Sequence, residues 1–179
     1  MPFAIPWSTA DPGELPGNMV RYVSSVRAEF RPERFDLLFA VRVDATLIGL
    51  QTFHATDFPV TRTGETGSWL GVRHQDKGYG TRMRRAICAF AFDELHAAEV
   101  TSGAFLDNPA SRAVSRKVGY RPNGTARLKR REGELAIKQN LVLTPEAFVR
   151  GDPIHVTGAA GLRTFLCLDT PQDPSTQEL

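Results

Sequence analysis

An α/β (α+β) domain is predicted by three stretches of the sequence. Asp36 to His54 alternates side chains with a period of two around Asp44-Ala45, the pattern of a hairpin. Gly67 to Val72 is a short apolar run that leads through Gln75-Asp76-Lys77-Gly78-Tyr79-Gly80-Thr81 into a helix-forming stretch. Val100 to Leu106 repeats the scheme: a strand, then Asp107-Asn108-Pro109, then a helix that stops at Gly119. Strands that alternate with helices in this way place the helices against a sheet.

The remaining elements follow in order. Residues 1–19 carry Pro2, Pro6, Pro12 and Pro16 and read as an irregular lead-in, with Phe3 and Trp7 as aromatic anchors. Asn18 is placed to cap a first helix, in which Val20, Val23, Val26 and Phe30 recur at helical spacing until Arg31-Pro32. In the hairpin Leu37, Phe39, Val41 and Val43 alternate with Leu38, Ala40 and Arg42, and the return strand runs from Leu47 to His54. Thr56 to Thr63, with Pro59 inside it, reads as a loop. After the glycine turn, Met83, Ile87, Phe90, Ala91 and Leu95 fall on one face of a helix of about four turns.

Tyr120 to Leu128 and Glu134 to Leu143 read as two more strands across a basic turn, the second with Leu135, Ile137, Leu141 and Leu143 along it. Thr144-Pro145-Glu146 starts a short helix through Phe148. His155 to Leu168 reads as a last strand interrupted at Gly158 to Gly161. A single domain is expected over residues 1–168, with a polar, disordered tail at 169–179.

Composition narrows the function classes. A net charge of +2 is too mild to argue for nucleic acid, and the basic Lys129-Arg130-Arg131 cluster reads as a local anion-binding patch or a solvated hairpin tip. Cys88 and Cys167 lie far apart, without CxxC or Cys/His metal spacing, so neither a disulfide framework nor a metal is expected. This fits a reducing cytoplasm. No apolar run approaches the ~20 residues of a membrane span, and a soluble protein without a membrane partner is expected.

The Gln75 to Thr81 turn carries the first chemical signal. Gly78 and Gly80 permit φ > 0 or a close backbone approach, and the helix that follows contributes unpaired N–H groups and its positive dipole end. Such a turn suits a phosphate or pyrophosphate; an ordinary helix start without a ligand is the other reading. A nucleotide-binding domain fits poorly, because Met83 stands where a dinucleotide fingerprint wants a third small residue and no Gly-x-x-x-x-Gly-Lys-Ser/Thr is present.

The order strand, Gln-x-x-Gly-x-Gly turn, long helix, strand, Asn108-Pro109-capped helix and Gly119-Tyr120 resembles the GCN5-related N-acetyltransferase superfamily, in particular the ribosomal-protein alanine acetyltransferase branch. Gln75, Gly78 and Gly80 match its pyrophosphate signature. Asp107 to Arg112 with Lys117 to Tyr120 are similar to the helix that borders the pantetheine. The resemblance covers roughly residues 35 to 143 and implies a mixed central sheet with splayed strands flanked by helices. The chain is read as starting after the family's initial strand, so that either Met1 is a late assigned start or residues 155–168 cover the sheet edge.

The resemblance implies acetyl-CoA, or another short acyl-CoA such as succinyl-CoA, as co-substrate. Its pyrophosphate would rest on Gln75, Asp76, Lys77, Gly78, Tyr79, Gly80 and Thr81, and its thioester would face backbone N–H groups near Leu70, Gly71 and Val72. Asn108, Ser111 and Ser115 would border the pantetheine. Where the family often has a tyrosine acid, seven residues after Asn108, this chain has Ser115, so Ser115 or Ser111 is the candidate donor to the leaving sulfur. Glu65 is the first candidate base, with His54 and Asp57 after it.

The acceptor expected is a primary amine, either a small molecule or a peptide or protein N-terminus, and a homodimer is compatible. A non-catalytic acyl-CoA-binding module is the alternative of a different class. His74, Arg82, Arg84 and Arg85 are either phosphate contacts or solvated side chains; Tyr120 and Cys88 read as packing residues.

Overall fold

The computed structural model describes Asp11 and residues 13–169, so Phe3, Trp7 and all of the predicted tail except Asp169 lie outside the described residues. Its centre is a six-stranded mixed sheet in the order β1-β2-β3-β4-β6-β5. The hairpin is as expected: β1 (Arg34–Val43) and β2 (Thr46–Thr56) pair antiparallel across Asp44 and Ala45, whose φ of 47° and 64° make the tight turn that fits strand twist. A bulge between Val41 and Arg42 shifts the pairing, so that Asp36 faces His54 and Phe35 faces Ala55. β3 (Thr63–Leu70) pairs antiparallel with β2, and β4 (Glu99–Phe105) runs parallel to β3. β5 (Arg121–Arg131) and β6 (Glu134–Leu143) form the second hairpin, with β6 next to β4.

The core lies between one sheet face and two helices, α3 (Tyr79–Ala89) and α4 (Pro109–Val118). α3 continues into a wider π-helical turn, Phe90–Glu94, which brings three successive residues, Phe90, Ala91 and Phe92, into the interior. The stretch expected to be a loop after β2 contains a one-turn helix, α2 (Phe58–Thr61). Phe58 is fully buried there and meets Phe35 and Phe53 edge-on at 5.9 and 5.8 Å, so burial of one aromatic ring organises the loop.

Three other expectations change. α1 (Leu15–Ala28) begins before Asn18, with Pro16 in its first turn, and Asn18 Oδ1 instead accepts from Arg21 at 2.6 Å inside the helix. Residues 155–168 form no strand: α5 (Ala159–Phe165) starts at Gly158, Leu166 and Leu168 are buried against the π-helical turn, and Phe165 stacks on Phe30 at 5.4 Å. That segment therefore adds no strand to the sheet edge at β1. β3 starts at Thr63 rather than Gly67, which places Glu65 within the strand.

α4 ends as expected. Asn108 Oδ1 caps it by accepting from Ser111 N at 3.1 Å, and Gly119 closes it at φ 106°. A Cβ on Gly119 would lie 2.0 Å from the Ala147 carbonyl oxygen, in the turn Pro145–Ala147. Gly119→Ala is therefore expected to lower the unfolding free energy by about 3 kcal/mol. Gly133→Ala, where φ is 71° but no atom lies within 4 Å of the new Cβ, is expected to cost about 1 kcal/mol. Chemical denaturation of both variants checks the contrast.

Candidate active site at the splayed strands

β3 and β4 are paired only where Thr63, Gly64 and Glu65 face Glu99, Val100 and Thr101. Beyond these residues each strand goes on without the other, β3 held by β2 as far as Leu70 and β4 by β6 as far as Phe105. The two inner edges thus border a wedge-shaped gap with unpaired backbone groups. Gly71 N–H donates to Ile48 O at 2.9 Å and is not available to a ligand, which narrows the expected Leu70 to Val72 set. The alternation of an antiparallel ladder then directs the amides of Leu70 and Ser68 away from β2, into the gap.

The wide end of the gap is closed by the glycine turn. A short 3-10 turn, Val72–His74, leads into Gln75, whose Nε2 donates back to Leu70 O at 3.1 Å. Asp76 and Gly78 take φ of 57° and 80°, and Gly78 is the N-cap of α3. Gly80, by contrast, does not have positive φ; its α-carbon lies where α3, α4 and β3 meet, near Val114 and Leu70. Among the described residues no acceptor is paired with the N–H groups of Asp76 to Gly80. Five amides at a helix N-terminus suit an anion.

The three arginines of α3 differ in their surroundings. Arg82, well exposed, meets Asp152 at 3.5 Å, and Arg85 donates to Lys117 O at 3.1 Å. Arg84 is buried against the sheet. His74 is half-buried beside Gly71. On α4 Ser111 is half-buried, while Ser115 is 1% exposed and its hydroxyl has no partner among the described residues.

The sheet face opposite Phe53 carries the candidate bases. Asp36, His54, Glu65 and Thr101 occupy one register row across β1, β2, β3 and β4. His54 Nδ1–H donates to Asp36 Oδ1 at 3.0 Å, which leaves Nε2 as the basic nitrogen. Glu65 is half-exposed at the point where β3 and β4 part, with Lys138 Nζ 3.9 Å from its Oε1. Asp57 lies past the end of β2, in a left-handed turn outside this row.

The basic cluster on the second hairpin is mostly neutralised. Arg130 is buried, bonded bidentately to Asp107 at 2.7 and 2.8 Å and stacked 4.0 Å over Phe105. Its guanidinium holds the Asp107 carboxyl below the usual range. Lys129 pairs with Glu132 and Arg131 with Glu134, so the cluster ties the hairpin to β4 rather than presenting free charge. Tyr120 and Cys88 are packing residues, as expected. The Tyr120 hydroxyl lies 2.9 Å from Thr66 Oγ1 and 3.3 Å from Cys88 Sγ, and burial pushes the Cys88 thiol up to about 11, far from a reactive thiolate. Asp36, Ser68, Ser102 and Lys138 were not legible as site residues. Only hairpin register could have singled out Asp36, and the bulge hides it.

The chain is similar to known proteins in sequence and in fold. The acetyltransferase (GNAT) domain family matches residues 2–121. YdaF of Bacillus subtilis (strain 168), whose name assigns it ribosomal N-acetyltransferase activity provisionally, is 30% identical over 117 residues, which is 64% of this chain and 63% of YdaF. The chain thus spans less than two thirds of the length of that relative. Among solved structures, Mycobacterium smegmatis RimJ in complex with CoA-disulfide superposes with a TM-score of 0.66 at 23% identity, over 73% of this chain and 62% of that one. Spermidine N-acetyltransferase from Vibrio cholerae, in complex with CoA and spermine, superposes with a TM-score of 0.57 at 13% identity, over 74% and 76%. The family model matches more than half of the sequence, and the chain belongs to the acetyltransferase (GNAT) domain family.

Proposed function

We propose that the protein is an acyl-CoA-dependent N-acyltransferase that moves an acetyl group to a primary amine. The observation that carries this reading is the wedge between β3 and β4, with unpaired strand edges on both sides and five unpartnered amides at its wide end. These features fit an elongated donor with an anionic diphosphate at one end. The acyl donor supplies the activated thioester carbonyl. The Asp76 to Gly80 amides hold the diphosphate, the inner edge of β3 pairs with the pantetheine, and Leu70 N–H points to the carbonyl.

The amine approaches from the sheet face that carries Asp36, His54 and Glu65, because the other face is filled by α3 and α4. Glu65, nearest the narrow end of the wedge, is the base that takes the amine proton, and His54, held by Asp36, is the second proton acceptor along the row. Ser111, less covered than Ser115, is the hydroxyl on α4 that borders the sulfur. Ribosomal proteins and polyamines are the acceptors named for its relatives; a peptide N-terminus or a small amine are the acceptor classes for this chain. A cytoplasmic enzyme of one domain accords with this reading.

Release of free CoA tests the activity. Amine-dependent thiol from acetyl-CoA, across peptide and small-amine panels, is the expected result; no thiol from either acetyl-CoA or succinyl-CoA refutes the transferase. Gly80→Glu places a carboxylate in the phosphate cradle while its Cβ makes only ordinary contacts at 3.5 and 3.7 Å. It should weaken CoA binding about tenfold or more, roughly 1.4 kcal/mol, with the thermal midpoint little changed; calorimetric titration with CoA reads this. Glu65→Gln should lower kcat by about 10²-fold with the acetyl-CoA KM nearly constant, as steady-state kinetics will show.

A further inference from the structure

Beneath the gap lies a cation without a carboxylate. Arg84 is 4% exposed, its two terminal nitrogens donate to Ser68 Oγ and Ser102 Oγ at 3.0 Å each, and its Nε is buried without a partner. The guanidinium lies 5.9 Å from the Tyr120 ring centroid. None of the ion pairs among the described residues includes it. Its other neighbours do not supply negative charge, because burial keeps the Cys88 thiol and the Tyr120 phenol protonated. A buried guanidinium bonded only to neutral hydroxyls costs stability that those bonds do not offset.

The two serines come from the two strands that part. Ser102, on β4, is buried and already donates to Thr66 O at 3.1 Å. Ser68, on β3, is half-buried, and its oxygen accepts from Arg84 while its proton has no acceptor among the described residues. β2 lies along one edge of Ser68 and Arg84 lies below it, so the side that remains is the gap. A hydroxyl that accepts from a guanidinium is a stronger donor through its own O–H.

We propose that the Ser68 hydroxyl, polarised by Arg84, donates a hydrogen bond to the acyl carbonyl oxygen. Ser68 is then a further catalytic residue and Arg84 its positioning residue; this rests on the acyltransferase reading above. The amine lone pair forms the C–N bond at the thioester carbon, and the carbonyl π pair moves to oxygen, where Ser68 O–H and Leu70 N–H meet it. That pair re-forms the carbonyl as the C–S bond breaks, and the bonding electrons leave on sulfur. The amine proton passes to the base on the open sheet face, and the thiolate takes a proton from solvent. The positive charge beneath Ser68 is unneutralised in the resting protein, so it polarises the bound carbonyl and acts more strongly as negative charge develops on the oxygen.

Two readouts test this, with wild type, Ser68→Ala, Ser68→Thr and Arg84→Met. Ser68→Ala should lower kcat by about 10²-fold with the acetyl-CoA KM within about twofold, and Ser68→Thr, which keeps the hydroxyl, should retain most activity. Difference infrared spectroscopy of bound acetyl-CoA labelled with carbon-13 at the carbonyl should show a lowered stretch in wild type and Ser68→Thr. In Ser68→Ala, and in Arg84→Met if circular dichroism shows it folded, the stretch should return towards the value in water. Unchanged kcat and an unchanged stretch in Ser68→Ala overturn the proposal, as does a loss of activity that comes with weaker acetyl-CoA binding and no change in the stretch. A wild type that binds acetyl-CoA without transferring it refutes the transferase, and the carbonyl stretch still decides the role of Ser68.

Discussion

The short pairing between β3 and β4 is the constraint on which the rest of the structure depends. Parallel strands joined over three residues and then released leave two rows of backbone donors and acceptors that neither strand satisfies. Such edges persist only where something else keeps the strands in place. β2 and β6, each paired along both edges, do so from outside, and α3 and α4 from below, so the gap is held open by its packed neighbours. The unpaired edges are thus a property of the sheet and not of a mobile loop.

The same geometry explains the polar residues inside the core. Where β3 and β4 separate, apolar packing cannot continue, because the interior lies close to a polar cleft. Thr66, Ser68, Arg84, Ser102 and Tyr120 fill that place and bond to one another across both strands. The network holds β3 and β4 at a fixed separation where the backbone ladder between them has ended. Its members come from two strands, α3 and Tyr120 between α4 and β5, so the shape of the cleft depends on parts of the chain distant in sequence.

Local signals in the sequence carry their own structure. The Asp44-Ala45 hairpin, the Asn108-Pro109 helix start, the Gly119 helix end and the Gly78 turn depend on neighbours within a few residues, and each stands where expected. Arg84 was read as a phosphate contact or a solvated charge, because nothing in a run of arginines tells which one faces the sheet. The His155 to Leu168 segment was read as a strand from its apolar residues; its helix is set by tertiary packing of Leu166 and Leu168 under α3 and its π-helical turn. Arg130 looked like one charge of three, and only the position of Asp107 at the end of β4 makes it a buried tie.

The bulge in the first hairpin has a wider meaning. A two-residue turn at Asp44-Ala45, continued without interruption, would set Asp36 opposite Phe53; the extra residue at Ile48 sets it opposite His54 instead. In a strand, parity decides which side of the sheet a residue serves. One inserted residue therefore sends Phe53 to the interior and His54 to the open face, aligned with Asp36 and Glu65. The row of titratable groups across three strands exists because the hairpin counts one residue more on its second strand than on its first.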